Sequence, residues 1–226
     1  TNVLGSGSVA IGSGSLYAQN PATAASMYNT AVGYDAGNAI TTGVQNTIVG
    51  ALAGDSLAAS NLNTAVGYQA LTAATTADLN TAIGAQTLYT NILSDRNVAV
   101  GYGALYTHNQ ATSVDSYNTA VGYSAGVAMT TGVRNTLMGG LAGDALTDAD
   151  YNTVMGYNAL STDTLGSRST ALGYYALASQ NFTTATNTFN TAVGFGAGEA
   201  ISTGVQNTCI GGQAGDALSD ADFNVA

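Results

Sequence analysis

The chain has no lysine, three arginines, one histidine and one cysteine, and only 7% of its 226 residues are charged. Thirteen acidic residues leave a net charge of −10. A chain so poor in cations has no electrostatic footprint for nucleic acid or an anionic membrane surface, and both are excluded as partners. Cys209 stands alone, so no internal disulfide forms and cysteine usage does not reveal the redox compartment. No apolar run approaches the roughly 18 residues of a spanning helix, so this segment does not insert into a membrane. No leader is visible. The chain begins at Thr1 without Met and stops at Ala226 within a repeat, which reads as a slice of a longer protein. Disorder is the usual reading of an acidic chain, but 46% of the residues are hydrophobic and recur at regular positions.

That regularity is the main signal. Asn-Thr-Ala-Val-Gly or a close variant begins at Ser8, Asn29, Asn46, Asn63, Asn80, Asn97, Asn118, Asn135, Asn152, Ser169, Asn190, Asn207 and Asn224, at spacings of only 17 and 21 residues. A short fixed period means one unit stacked on itself. The fifth position is always Gly, as at Gly33, Gly50, Gly67, Gly122 and Gly139, which implies a backbone demand: positive φ or close approach of a neighbouring coil. The residue before it is always apolar, as at Val32, Val66 and Val121. Seven residues after the Asn comes a small residue, mostly Ala, followed by Gly or Leu.

Gly and Thr-Thr-Gly breaks leave no stretch long enough for a helix. The pattern predicts an all-β fold, a parallel β-roll of stacked coils spanning residues 1–226 as one solenoid, with two short strands per coil and a turn such as Thr41-Thr42-Gly43. Coils stack ~4.8 Å apart, so twelve give a rod of roughly 58 Å. Asn29, Asn46, Asn63 and their equivalents cap turns by bonding backbone groups of their own or adjacent coils. A hexapeptide helix is rejected, because stepping twelve residues from Ala31, Ile48 and Ala65 lands on Gly43, Ser60 and Ala77. The nonapeptide calcium roll needs a period that is absent.

Side chains alternate faces along a strand, yet the Ala31 and Val32 columns are both apolar. A strand apolar on both faces is buried on both, so the second face meets another copy of the chain. The three longer coils, 8–28, 97–117 and 169–189, carry their extra residues in polar, turn-rich loops. Exposed irregular segments on a rigid scaffold carry recognition, which nominates Asn20, His108, Asn109, Asn181 and Phe182.

The strings Ser8-Val9-Ala10-Ile11-Gly12 and Asn29-Thr30-Ala31-Val32-Gly33-Tyr34 resemble the repeats of YadA-like trimeric autotransporter adhesin heads. Similar NTAVGYxA runs occur in long bacteriophage tail fibres. The similarity covers essentially the whole chain, although adhesin heads typically use shorter coils. It implies a left-handed β-roll, a homotrimer, and an extracellular place on a cell surface or virion. The partners it implies are sister chains and a surface glycan or protein receptor.

Chemical readings are weaker. His108 is the sole histidine and reads as a surface loop residue. Gly122-Tyr123-Ser124-Ala125-Gly126 matches a nucleophile elbow, but its glycines belong to the repeat and no histidine lies downstream. Asp148/Asp150 and Asp220/Asp222 are the only candidate Ca²⁺ ligands, with a solvated acidic turn the blander reading. No other cofactor is expected. Arg96, Arg134 and Arg168 each precede a motif, a column also holding Gln45, Gln206, Tyr28 and Tyr117; they either bond across subunits or pack in solvent. The Thr column, as at Thr30 and Thr47, suits an ice-binding array, but Val9, Val98 and Val225 share it and imply burial. The sequence therefore predicts a non-enzymatic fibre head or shaft. The alternatives are a self-assembling filament without a receptor and an ice-binding solenoid.

Overall fold

The structure, a computed structural model, describes residues 4–226, which fall into two compact units, one reaching to Ser116 and the other spanning Tyr117–Ala226. Each is an all-β solenoid with no helix among its described residues. In the first unit β1 (Gly5–Ser6), β2 (Val9–Ile11), β3 (Ala25–Ser26), β4 (Thr30–Val32), β5 (Thr47–Val49), β6 (Thr64–Val66), β7 (Thr81–Ile83), β8 (Ser94–Asp95), β9 (Val98–Val100) and β10 (Val114–Asp115) follow in order. The three-residue strands β2, β4, β5, β6, β7 and β9 form one parallel sheet. Its register stacks equivalent motif residues directly, Thr30 beside Thr47 and Thr47 beside Thr64.

The second unit repeats the scheme with β11 (Thr119–Val121), β12 (Thr136–Met138), β13 (Thr153–Met155), β14 (Gly166–Ser167), β15 (Thr170–Leu172), β16 (Thr186–Asn187), β17 (Thr191–Val193) and β18 (Thr208–Ile210). Strands β11, β12, β13, β15, β17 and β18 pair in parallel, again motif on motif.

The expectation of two strands in every coil is corrected. An ordinary coil has one, and a second short pair forms only beside the longer coils, as β1–β3, β8–β10 and β14–β16. The reason is the backbone. Gly67 ends β6 at φ +133°, and a Cβ there would lie 2.5 Å from the carbonyl oxygen of Gly84 in the next coil. Beyond it, Gln69, Leu71 and Leu79 are all left-handed, with φ of 56°, 53° and 59°. Such residues break a strand ladder, and each costs roughly 1–2 kcal/mol. Bonds between coils offset that cost: Gln69 N–H donates to Ala51 O, Leu71 N–H to Thr87 O and Leu79 N–H to Asn61 O.

Packing inside a coil follows a volume trade that the Gly-or-Leu alternation encodes. Where the small residue is followed by Gly, the position three further on is large: Gly37 with Ile40, Gly54 with Leu57, Gly143 with Leu146, Gly198 with Ile201. Where it is followed by Leu, that position holds Ala or a polar residue: Leu71 with Ala74, Leu88 with Asn91, Leu160 with Asp163, Leu177 with Gln180. All of these side chains except the glycines are fully buried. Each coil thus has room for one large aliphatic group, reached from either of two positions. A Cβ on Gly54 would sit 2.5 Å from Leu57 Cδ1, so Gly54→Leu overpacks the coil and costs about 1–3 kcal/mol. Adding Leu57→Ala converts the coil to the Leu71/Ala74 arrangement and recovers most of that loss, which a chemical-denaturation series on the two variants measures.

Candidate functional site

The alternation of the motif strands sorts its columns into inner and outer. Ala31, Ile48, Ala65, Leu137 and Val154 are wholly buried, as is Cys209, which stacks beside Ala192. Burial raises the Cys209 thiol pKa, consistent with a small apolar filler.

The Asn column is also buried, and it forms a ladder. Asn29 Oδ1 accepts from Asn46 N–H at 2.9 Å and from Asn46 Nδ2 at 3.1 Å. Asn46 Oδ1 does the same for Asn63, at 3.0 and 3.2 Å. Each Nδ2 also donates back to its own coil, Asn29 to Gly43 O at 2.7 Å and Asn63 to Ala77 O at 2.9 Å. The second unit repeats it from Asn118 through Asn135 and Asn152 to Ser169 N–H. The expected capping role thus takes the form of a buried rail within each unit.

Ser8 and Ser169 interrupt the rail, and glutamine mends it. Gln19 Oε1 accepts from Asn29 Nδ2 at 3.0 Å, and Ser8 Oγ from Asn29 N–H at 3.2 Å. Gln180 Oε1 accepts from Asn190 Nδ2 at 2.8 Å, while its Nε2 reaches Asp163 Oδ2 and Ser169 Oγ. Asp163, fully buried, also accepts from Gly166 N–H and Phe182 N–H. The signal for this network was in the sequence, as Ser for Asn at two motif starts in longer coils.

The nominated recognition residues separate. Asn20 and Asn181 are exposed, and Asn109 is half-buried with Oδ1 accepting from Ile92 N–H at 3.1 Å. His108 and Phe182 are corrected: both are buried, His108 because it occupies the same inner column as Gln19 and Gln180. The most outlying residues of the longer coils are instead 22–24, 111–113 and 183–185.

The paired aspartates are turn caps. Asp150 Oδ1 accepts from Val133 N–H and Asp222 Oδ1 from Val205 N–H, each at 2.8 Å, as Asp78 does for Asn61. Asp148 accepts from Thr131 Oγ1 at 2.6 Å and Asp220 from Ser219 Oγ at 3.1 Å. Among the described residues no group of three or more potential metal ligands comes together. Ser124 of the elbow-like string is buried at φ 52°, and no helix follows it.

The Thr column is corrected as well. Thr30, Thr64 and Thr81 are half-buried, Thr47 and Thr153 exposed, all facing outward with the Val32 column. Two further exposed columns flank this outer strand. One follows the motif Gly and is rich in aromatics, such as Tyr34, Tyr68, Tyr102 and Tyr157. The other precedes the Asn and holds left-handed Tyr28, Leu62, Arg134, Tyr151, Arg168 and their equivalents. Of the large apolar residues left exposed among the described residues, all but Leu4, Tyr17 and Ile92 belong to these four columns, including Met155 at 46% and Ile83 at 39%. None of the 13 acidic residues does, and all three arginines lie on one edge. Arg134 Nη1 donates to the Tyr151 hydroxyl at 2.7 Å, Arg168 covers the Tyr151 ring at 4.7 Å, and Arg96 pairs with Asp115 at 2.7 Å. Tyr174 stacks on Phe195 at 5.2 Å.

No family model matches the chain, and no curated protein or solved structure is similar to it.

Removing the acceptor at Gln19 by Gln19→Ala weakens the first unit by about 1–2 kcal/mol. Adding Ser8→Asn restores the standard rail and most of the stability, measured as the midpoint of urea unfolding. A separate effect concerns Asp144, whose Oδ1 is buried without a partner and whose carboxyl pKa is raised by burial against opposing backbone bonds. The folded state therefore binds this proton more tightly than the unfolded chain, and the charged form costs stability near neutrality. Asn38 fills the same column and donates to Gly14 O at 3.1 Å. Asp144→Asn accordingly raises the melting temperature at neutral pH, and the difference closes as pH falls below the unfolded carboxyl pKa of about 3.9.

Proposed function

We propose that the chain is a left-handed β-roll of 17- and 21-residue coils that assembles with two sister copies into the head or shaft of an extracellular fibre, on a cell surface or a virion. The carrying observation is the exposed strip of four columns, acid-free on a chain of net charge −10 and bearing nearly all of its large exposed apolar groups. Large contiguous apolar patches are association surfaces. On so acidic a chain, a strip without carboxylates is where two copies approach with least repulsion. Attachment to a glycan or protein receptor then falls to the outlying residues of the longer coils, the irregular segments that the assembled strips leave open. Nothing in this arrangement calls for catalysis.

A second reading has one observation in its favour, the outward Thr column, which removes the ground for treating those threonines as buried. An ice-binding array needs a flat face, and the tyrosines on both edges and the arginines on one rise beside it.

Light scattering of the wild-type chain should give three times the chain mass, and Val66→Glu with Met155→Glu should lower it to one while the β circular dichroism persists. Wild type at the monomer mass sinks the assembly reading, and thermal hysteresis by that monomer assigns the strip to ice.

A further inference from the structure

On a chain of net charge −10, the two arginines of the second unit have no carboxylate partner. The first unit supplies the comparison. Arg96 Nε donates to Asp115 Oδ1 at 2.7 Å, so its charge is compensated from the longer coil 97–117. Arg168 stands in the equivalent place before the longer coil 169–189, and 19 residues on, where the first unit has Asp115, it meets Asn187. Arg168 Nε donates to Asn187 Oδ1 at 3.0 Å. The hydrogen bond is kept and the negative charge is gone. Arg134 donates to the Tyr151 hydroxyl, and the neighbouring Asp150 is engaged by Val133 N–H. Neither Arg134 nor Arg168 is ion-paired among the described residues.

We infer that Arg168, backed by Arg134, is an anion site whose ligand is a carboxylated or sulfated sugar of a receptor glycan. This rests on the reading of the longer coils as recognition segments and names the chemistry they recognise. It does not rest on assembly, because the site is complete within one chain.

The guanidinium of Arg168 is held ready. Its Nε is committed to Asn187, its Cζ lies 4.7 Å from the Tyr151 ring centroid, and the Phe189 centroid follows at 6.0 Å. The exposed terminal Nη pair is left open, a planar fork that matches two oxygens of a carboxylate or sulfate. Arg134 Cζ lies 5.4 Å from the same Tyr151 ring, one coil earlier, and adds a second positive charge. A cation ordered beforehand by its neighbours loses little freedom when the anion arrives.

The surroundings suit a sugar. From Phe182 to Phe189 the chain has no charged residue and exposes Thr183, Thr184 and Asn187, so it meets hydroxyls with hydroxyls and an amide. The exposed Tyr151 and Phe189 rings offer apolar surface to the C–H face of a sugar ring. An acidic peptide or a dense polyanion brings several negative charges, for which only two cations are in reach, and the rest of the chain repels them. A single oxyanion on a neutral saccharide is governed by the charges within a Debye length of about 8 Å. One such contact binds weakly, and display of several copies multiplies it.

The test is binding of the full chain to surfaces bearing glucuronate, sialate, 6-sulfogalactose, neutral galactose or oligoglutamate, at about 0.05 M and about 0.5 M salt. Acidic sugars should bind, galactose should not, and the higher salt should weaken the binding; whether the carboxylated or the sulfated surfaces bind identifies the oxyanion. Arg168→Gln should lower the affinity roughly tenfold or more, the loss of a charged bidentate contact. Asn187→Asp installs the Arg96–Asp115 arrangement and should lower it equally, with the melting temperature no lower than wild type and the oligomer mass unchanged. That variant separates loss of ligand from loss of structure. Full affinity in Asn187→Asp overturns the inference, as does binding to oligoglutamate alone, which assigns the arginines to an acidic protein. Galactose bound as well as the acidic sugars overturns the anion site and leaves the longer coils as recognition segments. No surface bound at all overturns both.

Discussion

The constraint on which the fold depends is the saturation of buried amide groups. A coil this narrow cannot hide its backbone turns behind a thick hydrophobic layer, and an unpaired buried amide costs about 1–3 kcal/mol. The Asn rail resolves this by sharing. Asn46 Oδ1 serves Asn63 N–H and Nδ2, while Asn46 Nδ2 serves Ser60 O in its own coil. Each coil is thereby complete only when the next is present and in register, since a slip by one residue would oppose Asn29 to Thr47 or Gln45. This nearest-neighbour dependence gives a stacked unit its cooperativity. It also explains why strands of only three residues suffice: the ladder that orders the stack is made as much by side-chain amides as by the backbone.

Around that rail, the coil tolerates change only in compensated pairs. The Gly–Ile and Leu–polar arrangements place one large aliphatic group in the same interior from different positions. The Leu arrangement frees an inner position for a polar side chain, and the longer coils exploit it. Gln19 and Gln180 stand there, each in a coil whose motif begins with Ser, and each supplies the acceptor that the shorter side chain lacks. Asp163 and Asn91, one coil earlier, cap the turns against which the longer loops fold, through Gly166 N–H and Ser94 N–H. In the two coils that begin with Ser, extra residues are therefore accommodated by moving an amide across the core rather than by widening it.

Much of this was readable from residue order and much was not. The period, the Gly column and the strand polarity at Ala31 and Val32 were legible because they are periodic and each has a single physical cause. The number of strands per coil was not, because left-handed Leu71 and Gln69 are ordinary strand or helix residues by propensity, and only inter-coil bonds hold them in that conformation. Thr30 was misplaced because Val9, Val98 and Val225 stand in its column and implied burial; the column faces outward in a single chain. His108 and Phe182 were misplaced because polarity and a long coil suggested a surface loop. The column alignment with Gln19 and Gln180, not the local composition, identifies His108 as interior.

The distribution of charge links architecture to use. Acidic residues occupy the turns, where Asp78, Asp150 and Asp222 cap N–H groups of preceding coils and contribute to structure as well as to solubility. Random placement of 13 carboxylates among equivalent outward positions would have put several on the strand and its edges, yet the four columns there have none. Structure within one chain does not require this: the outer strand positions are open to water, and a carboxylate at Thr47 or Val49 would be solvated at little cost. An apolar, uncharged surface at solvent-open sites, repeated coil after coil, is the feature on which the proposed assembly with sister copies rests.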